Sequence, residues 1–429
     1  MARMILIALG SSGDVHPVLG IAEELARRHH EVFVVTNPSF ESLVKRLGFQ
    51  FRPLGTAAEF DAVADDPDVW HPVRGIKMLV RWAILHTMRP IYELLEELHI
   101  PDQTVVAAPL TAFGARIAQE KFGIRLATLH LQPVVFRSVY DTPRIPPMLT
   151  GPRVPHWLKR LQFYLADRLL VDPILTRETN AFRGELGLRP VQRLMNRWCH
   201  SPDCVIGLFP DWYASLQADW PPNTHLTGFP LWDESVLDAR DQGLQKFLEA
   251  GTPPLVFTPG SAMRHGKDFF EVAVAATEQL GKRAILLSQH AAHIPVGLPA
   301  GIVHFPYVPF SQLLPQAAAL VHHGGIGSTG QALSAGIPQL IMAMAFDQPD
   351  NANRVQRLGV GGGLSRHQFQ APRVTKMLDR MLGCPEMSAR CKQVAGHFSS
   401  AKPIPATADL IEQMLTVPRS GESDHATVC

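Results

Sequence analysis

The sequence predicts an α/β protein built on two doubly wound, Rossmann-like parallel sheets. Three observations carry that prediction. Short apolar runs alternate with helix-spaced apolar patterns, the alternation pauses around residues 233–250 and then restarts, and 429 residues exceed what one core ordinarily holds. Residues 4–9 (MILIAL) are an unbroken apolar run of strand length, and residues 17–29 set Val18, Ile21, Ala22 and Leu25 on one helical face. Residues 32–36 (VFVVT) give a second strand. A long helical stretch over 75–98 carries Met78, Trp82, Met88 and Tyr92. A strand at 104–108, a helix at 111–121 and a strand at 126–130 continue the series, prolines crowd residues 143–155 as a loop, and 204–209 closes this half. The second half repeats the logic with strands at 255–258, 284–288, 301–305, 319–322 and 339–342. Its helices fall at 268–280, at 328–335 and from 350 onward. The expected units are 1–235 and 236–415, with a polar tail over 416–429 expected to lack fixed structure.

Composition narrows the function. Forty basic side chains against 39 acidic ones leave a net charge of +1, which argues against electrostatic capture of nucleic acid. The five cysteines form no C-x-x-C pair and read as reduced thiols of a cytoplasmic protein rather than a disulfide frame or zinc site. The first apolar run is too short for a signal-peptide core, and no stretch reaches the ~18 apolar residues that span a bilayer. The expectation is a soluble, cytoplasmic protein, with peripheral contact at the inner membrane through the amphipathic 75–98 stretch.

Two glycine-bearing turns carry the chemistry. The first, Gly10-Ser11-Ser12-Gly13-Asp14, follows the first strand but lacks G-x-G-x-x-G, and the second strand ends in Thr36-Asn37 without an acid. A dinucleotide-binding oxidoreductase is therefore disfavoured, and the P-loop spacing is absent too. Asp14 sits where open α/β sheets bind ligands, yet from spacing alone it reads first as the cap of a helix starting at Pro17. The second turn lies in LVHHGGIGSTGQALSAGIP, residues 320–338. Gly324, Gly325 and Gly327 let backbone approach a ligand closely, and the helix beginning there presents N–H groups and a positive dipole end. With His323, Ser328 and Thr329 as further donors, the set suits a diphosphate. Asp347, Gln348 and Asn351 follow at one helix length and suit sugar hydroxyls.

These residues carry a resemblance. His323 to Thr329 (HGGIGST), Gly336-Ile337-Pro338 and residues 347–352 (DQPDNA) are similar to the nucleotide-sugar signature of family 1 glycosyltransferases. The resemblance implies the GT-B architecture, two facing Rossmann-like domains with the donor held by the C-terminal one. Residues 4–20, 200–202, 219–231, 255–261 and 307–315 further resemble the rhamnosyltransferases of bacterial rhamnolipid biosynthesis. That resemblance implies transfer of L-rhamnose from dTDP-L-rhamnose to the hydroxyl of a 3-(3-hydroxyalkanoyloxy)alkanoic acid. Carried over residue by residue, His323, Gly325, Gly327, Ser328 and Thr329 would hold the diphosphate, with Ser261 on its other side. Val308 would meet the thymine, and Asp347 and Gln348 the sugar. Many members place a histidine as base before the first helix. This chain has Asp14 in that slot, and bacterial relatives with aspartate there imply the same role for it.

The implied reaction is a direct, inverting displacement at the anomeric carbon, with N–H donors stabilising the leaving diphosphate and no metal or other cofactor. The acceptor side is the least legible region. His16, Trp82 and His86 are its candidates, beside Trp70 and Met78, all of which read equally well as packing. Arg81, Arg89 and Arg137 are candidate partners for a lipid carboxylate. The alternatives are another nucleotide sugar with a macrolide, aglycone or sterol acceptor, a nucleotide-sugar epimerase or hydrolase, and a non-catalytic binding protein.

Overall fold

The computed structural model describes residues 1–71, 74–234, 242–261, 263–264 and 266–416. The alternating pattern folds into two parallel sheets. The first holds β1 (Arg3–Ile7), β2 (Glu31–Thr36), β3 (Gln50–Pro53), β4 (Thr104–Pro109), β5 (Arg125–His130), β6 (Cys204–Gly207) and β7 (Thr224–Leu226), in the order β3-β2-β1-β4-β5-β6-β7. The second holds β8 (Leu255–Thr258), β9 (Ala284–Leu287), β10 (Ile302–Phe305), β11 (Ala319–His322), β12 (Gln339–Ala343) and β13 (Gly361–Ser365), in the order β10-β9-β8-β11-β12-β13. The strand order reverses between β1 and β4 and again between β8 and β11, and each reversal opens a crevice at the carboxyl strand ends. β8 and β11 pair with His322 beside Thr258, so the loops leaving those two strands start side by side.

The central strands are apolar on both faces because helices cover both. Ile5 and Ile7 face one helical layer of the first sheet, and Met4 and Leu6 face the other. A separate cluster spans the two halves. Phe136, Phe209 and Trp220 of the first half pack with Ile326, Leu333 and Val355 of the second, with the Phe136 and Trp220 rings stacked at 4.0 Å.

Several expectations need correction. The first helix runs Ser12–Arg27, starting five residues before Pro17, because Ser11 and Asp14 form a reciprocal cap at its start. β3, β7 and β13 went unpredicted. β3 is a short edge strand ending in proline, β7 has three residues, and β13 opens with Gly361-Gly362-Gly363. The last is glycine for a reason: a Cβ at Gly361 would lie 2.0 Å from the Gln339 carbonyl oxygen. The amphipathic 75–98 stretch turns its apolar side inward, since Met88, Ile91, Tyr92 and Leu95 are buried in the first core. That face is spent on packing rather than left for a membrane.

The expected second unit, 236–415, also ends differently. The helix Pro403–Gln413 crosses back and buries Ala408 and Ile411 in the first half's core. Arg28 ties it down through Asp409 and Glu412, and His30 meets Glu412 at 2.6 Å. The 235/236 boundary and the tail from 417 on lie outside the described residues. Among the described residues no helix is long and apolar enough to cross a membrane.

Candidate functional site

The carboxyl ends of the two sheets face one another across a cavity of about 490 Å³. The helix Ile326–Ala335 starts at its wall. Gly325 caps it without a side-chain bond, so the N–H groups of its first three residues, Ile326, Gly327 and Ser328, have no partner within the helix. The first helix of the other half starts directly opposite: a Cβ on Gly327 would lie 3.9 Å from the Gly13 Cα. The site therefore sits between two helix N-termini, both biased toward negative charge.

The two histidines before this helix have separate tasks. His322 is fully buried. Its Nδ1 accepts the Gly324 N–H at 3.2 Å, so its Nε2 must donate to Gln339 Oε1 at 3.0 Å. His322 fixes the turn. His323 lines the cavity, with its ring held between two glycines. A Cβ at Gly260 would come within 2.4 Å of the His323 Cε1, and one at Gly325 within 2.6 Å of its Nε2. Gly260 also has φ +93°, closed to most side chains. Burial lowers the His323 pKa to about 4, and its Nδ1 has no partner among the described residues. At neutral pH it is a neutral imidazole, with one N–H to give.

Two carboxyls face the same space. Asp14 accepts the Ser11 N–H at 2.9 Å, and desolvation raises its pKa to about 6 against that bond. Asp347 precedes the helix Gln348–Arg357 and accepts from Asn351 Nδ2 at 2.7 Å. Burial lifts its pKa to about 7, and the charge of Asp14 across the cleft adds to the rise. Between β12 and Asp347, Phe346 holds a left-handed backbone (φ +58°), a conformation that costs a non-glycine residue about 1–3 kcal/mol. Its ring meets Trp70 of the first half edge-on at 6.0 Å.

Of the residues singled out by sequence, the cavity brings together Asp14, His16, Trp82, Ser261, Val308, His323, Gly325, Gly327, Ser328, Asp347 and Gln348. Gln348 uses Oε1 to accept the Met344 and Ala345 N–H groups, at 2.8 and 3.2 Å, which leaves its NH₂ end for a ligand. His16 packs edge-on against Trp232, and burial lowers its pKa to about 4.

Two residues are not brought in. Thr329 is fully buried, and both its hydroxyl and its N–H donate to the Gly325 carbonyl at 3.0 Å, so it closes the helix turn instead of facing a phosphate. His86 lies outside this cavity, half exposed and paired with Glu59 at 3.1 Å. The arginine candidates are elsewhere as well. Arg89 pairs with Glu185 and Arg137 with Asp167, and no Lys or Arg is among the described residues lining the cavity.

Sequence reasoning missed the support behind Asp347. Arg354 is buried and bonds Asp350 at 2.7 Å, Asp141 at 2.9 Å and the Tyr213 carbonyl at 3.0 Å. Tyr213 donates its hydroxyl to Asn351 at 2.9 Å, and Asp350 accepts the Arg144 N–H at 2.8 Å. The first half thus clamps the helix that presents Asp347. The i, i+4 spacing of Asp350 and Arg354 was the one visible signal. Sequence also gave no sign that the Trp70 and Trp82 indole N–H groups, on the apolar wall with Val69 and Met78, are buried without partners among the described residues. Nor, among the described residues, is any group of three or more His, Cys, Asp or Glu placed to hold a metal ion.

Comparison with known proteins agrees with this layout. Residues 4–140 match the glycosyltransferase family 28 N-terminal domain, and residues 280–414 match the erythromycin biosynthesis protein CIII-like C-terminal domain. O-mycaminosyltylonolide 6-deoxyallosyltransferase of Streptomyces fradiae is 28% identical, covering 96% of this chain and 97% of its own. The glycosyltransferase VinC, solved with dTDP, superposes with a TM-score of 0.67 at 17% identity, over 96% of this chain and 99% of that one. The spinosyn rhamnosyltransferase SpnG does so with a TM-score of 0.66 at 16% identity, over 97% and 100%.

Proposed function

We propose that this chain is a glycosyltransferase, a reading supported by its two-sheet fold and its matches to two glycosyltransferase family models, and that it moves a deoxyhexose from a thymidine diphosphate donor to a hydroxyl on a large apolar acceptor. The carrying observation is the uncapped start of the helix Ile326–Ala335, aimed into a cavity that Asp14 enters from the other side. The N–H groups of Ile326, Gly327 and Ser328, with one from His323, receive the diphosphate oxygens as the sugar leaves. Each such donor is worth about 2.7–4 kcal/mol of barrier. Val308 and Ser261 flank the nucleotide, while Asp347 and the NH₂ of Gln348 take the sugar hydroxyls.

Asp14 takes the acceptor proton. Its pKa of about 6 keeps it ionised at neutral pH yet more basic than an ordinary aspartate. Attack from that side, opposite the leaving diphosphate, inverts the anomeric centre. The resemblance to rhamnolipid rhamnosyltransferases and the likeness to a spinosyn rhamnosyltransferase support L-rhamnose as the sugar.

For the acceptor, the cavity wall favours a neutral body. Val69, Trp70, Met78 and Trp82 are apolar apart from two indole N–H donors, and no cation is among the described wall residues to pair with a carboxylate. That suits a macrolide-like aglycone. The hydroxyalkanoyloxyalkanoate acceptor is the second reading. Leu79 lines the cavity and is 40% exposed, giving an apolar rim past which a lipid acid could keep its carboxylate in water. Incubating the purified chain with dTDP-L-rhamnose and each acceptor, with and without chelator, and reading products by mass spectrometry tests the proposal. A rhamnosylated product in chelator supports it. Product only from UDP-glucose overturns the donor, and product only with added metal overturns the stated charge stabilisation.

A further inference from the structure

The helix His156–Ala166 is amphipathic in the wrong sense for a water-facing element. Lys159 is its one buried residue among those described, 3% exposed, with its Nζ donating to the Val139 carbonyl at 3.2 Å. Gln162 joins the same polar underside by bonding both backbone groups of Leu149, at 2.8 and 3.1 Å. In the turn that follows, Asp167 is buried against Arg137. The outer face carries the apolar residues. Trp157, Leu161, Tyr164 and Leu165 recur at helical spacing and are exposed, and Leu169 continues the stripe at 66% exposure. Monomeric proteins rarely leave so contiguous an apolar patch open to water.

We propose that this face docks on an anionic lipid surface, with the helix lying in the headgroup plane. Charge decides the occupant. Arg153, Arg160 and Arg168 are exposed on this segment, and its one acid between residues 149 and 171, Asp167, is buried. An aromatic and leucine face bordered by arginines is the pattern of an interfacial helix. A second copy of the chain fits less well, because self-pairing would bring these arginines together with no exposed acid of the segment to meet them. The inference is independent of the acceptor proposed above, since it concerns lipid binding and not sugar transfer.

Flotation of the full chain with vesicles of phosphatidylglycerol and phosphatidylethanolamine, against vesicles of phosphatidylcholine alone, tests it. The chain is expected to float with the anionic vesicles and to be released by salt. The exposed triple change Trp157→Ser, Leu161→Ser, Leu169→Ser is expected to weaken binding at least about tenfold while leaving nucleoside diphosphate binding unchanged. If that variant does not fold, the charge reversal Arg153→Glu, Arg160→Glu, Arg168→Glu decides, with the same loss expected. A chain that stays unbound to anionic vesicles, or variants that bind as tightly as the parent, overturn the proposal. So does a concentration-dependent dimer that the triple change dissolves in the absence of any lipid binding.

Discussion

Replacing Asp14 with asparagine should make the protein more stable and almost inactive. The carboxyl rises from 3.8 to about 6 because its surroundings exclude water faster than the Ser11 N–H compensates. A carboxyl with a raised folded-state pKa binds more protons folded than unfolded. Its ionisation therefore erodes stability as pH climbs from about 4 through about 6, and the loss is complete above that. Roughly two pKa units at about 1.36 kcal/mol each give about 3 kcal/mol at neutral pH, an upper figure because one side of the group faces the cavity and water. The amide introduced by Asp14→Asn keeps an oxygen for the Ser11 N–H, so the helix start survives and the cost of burying charge disappears. The group proposed as base, however, is gone, and its loss should remove about 10²–10⁴-fold in turnover. Urea denaturation at neutral pH should show a higher midpoint for Asp14→Asn, and calorimetry should show donor binding retained, while product formation collapses. In the parent, kcat/KM should fall about tenfold per pH unit below about 6. Turnover within tenfold of the parent, or a variant less stable than the parent, would refute the role given to this residue.

Three further outcomes follow from the same geometry. Gly260→Ala places a methyl 2.4 Å from the His323 ring at a φ of +93°, so nucleoside diphosphate binding by calorimetry should weaken by about tenfold or more while the acceptor KM holds. Arg354→Met takes the buried cation from Asp350 and leaves Asp141 only its exposed partner Arg357, and should cost about 3–5 kcal/mol in urea denaturation, whereas the exposed Arg357→Ala should cost under about 1 kcal/mol. Burial holds His16, His200 and His323 at about 4 and His322 at about 3, with His130 well below its usual range, so the unfolded chain takes up protons first as pH falls below about 6.5. Stability should decline from there toward pH ~4.5, five histidines outweighing the opposite trend of Asp14 and Asp347; a flat urea midpoint across that range would contradict it.

The alternating pattern was legible because central parallel strands are buried on both faces and read as continuous apolar runs, as at β1, β8 and β11. β13 was hidden because the close approach of the Gln339 carbonyl demands glycine, a residue that signals turns rather than strands. The turn proposed for the diphosphate was legible because glycines and hydroxyls cluster where a helix begins. Thr329 was misassigned for a related reason: composition shows a hydroxyl but not that a helical threonine at this position bonds back to the preceding turn. Apart from the local i, i+4 pair of Asp350 and Arg354, the clamp was invisible because the other partners, Asp141 for Arg354 and Asn351 for Tyr213, lie far away along the chain. The apolar stripe on His156–Ala166 is present in the sequence, but helical spacing gives no hint of which side faces solvent.

Because the closing helix Pro403–Gln413 is anchored on Arg28 and the first core, the polypeptide passes between the two lobes twice, once outbound and once returning. A chimera that swaps the second lobe between homologues must therefore cut before residue 403 and leave the terminal segment with the first lobe that it packs on. Two covalent connections also limit how far the lobes can part, a constraint that a single connecting strand would not impose.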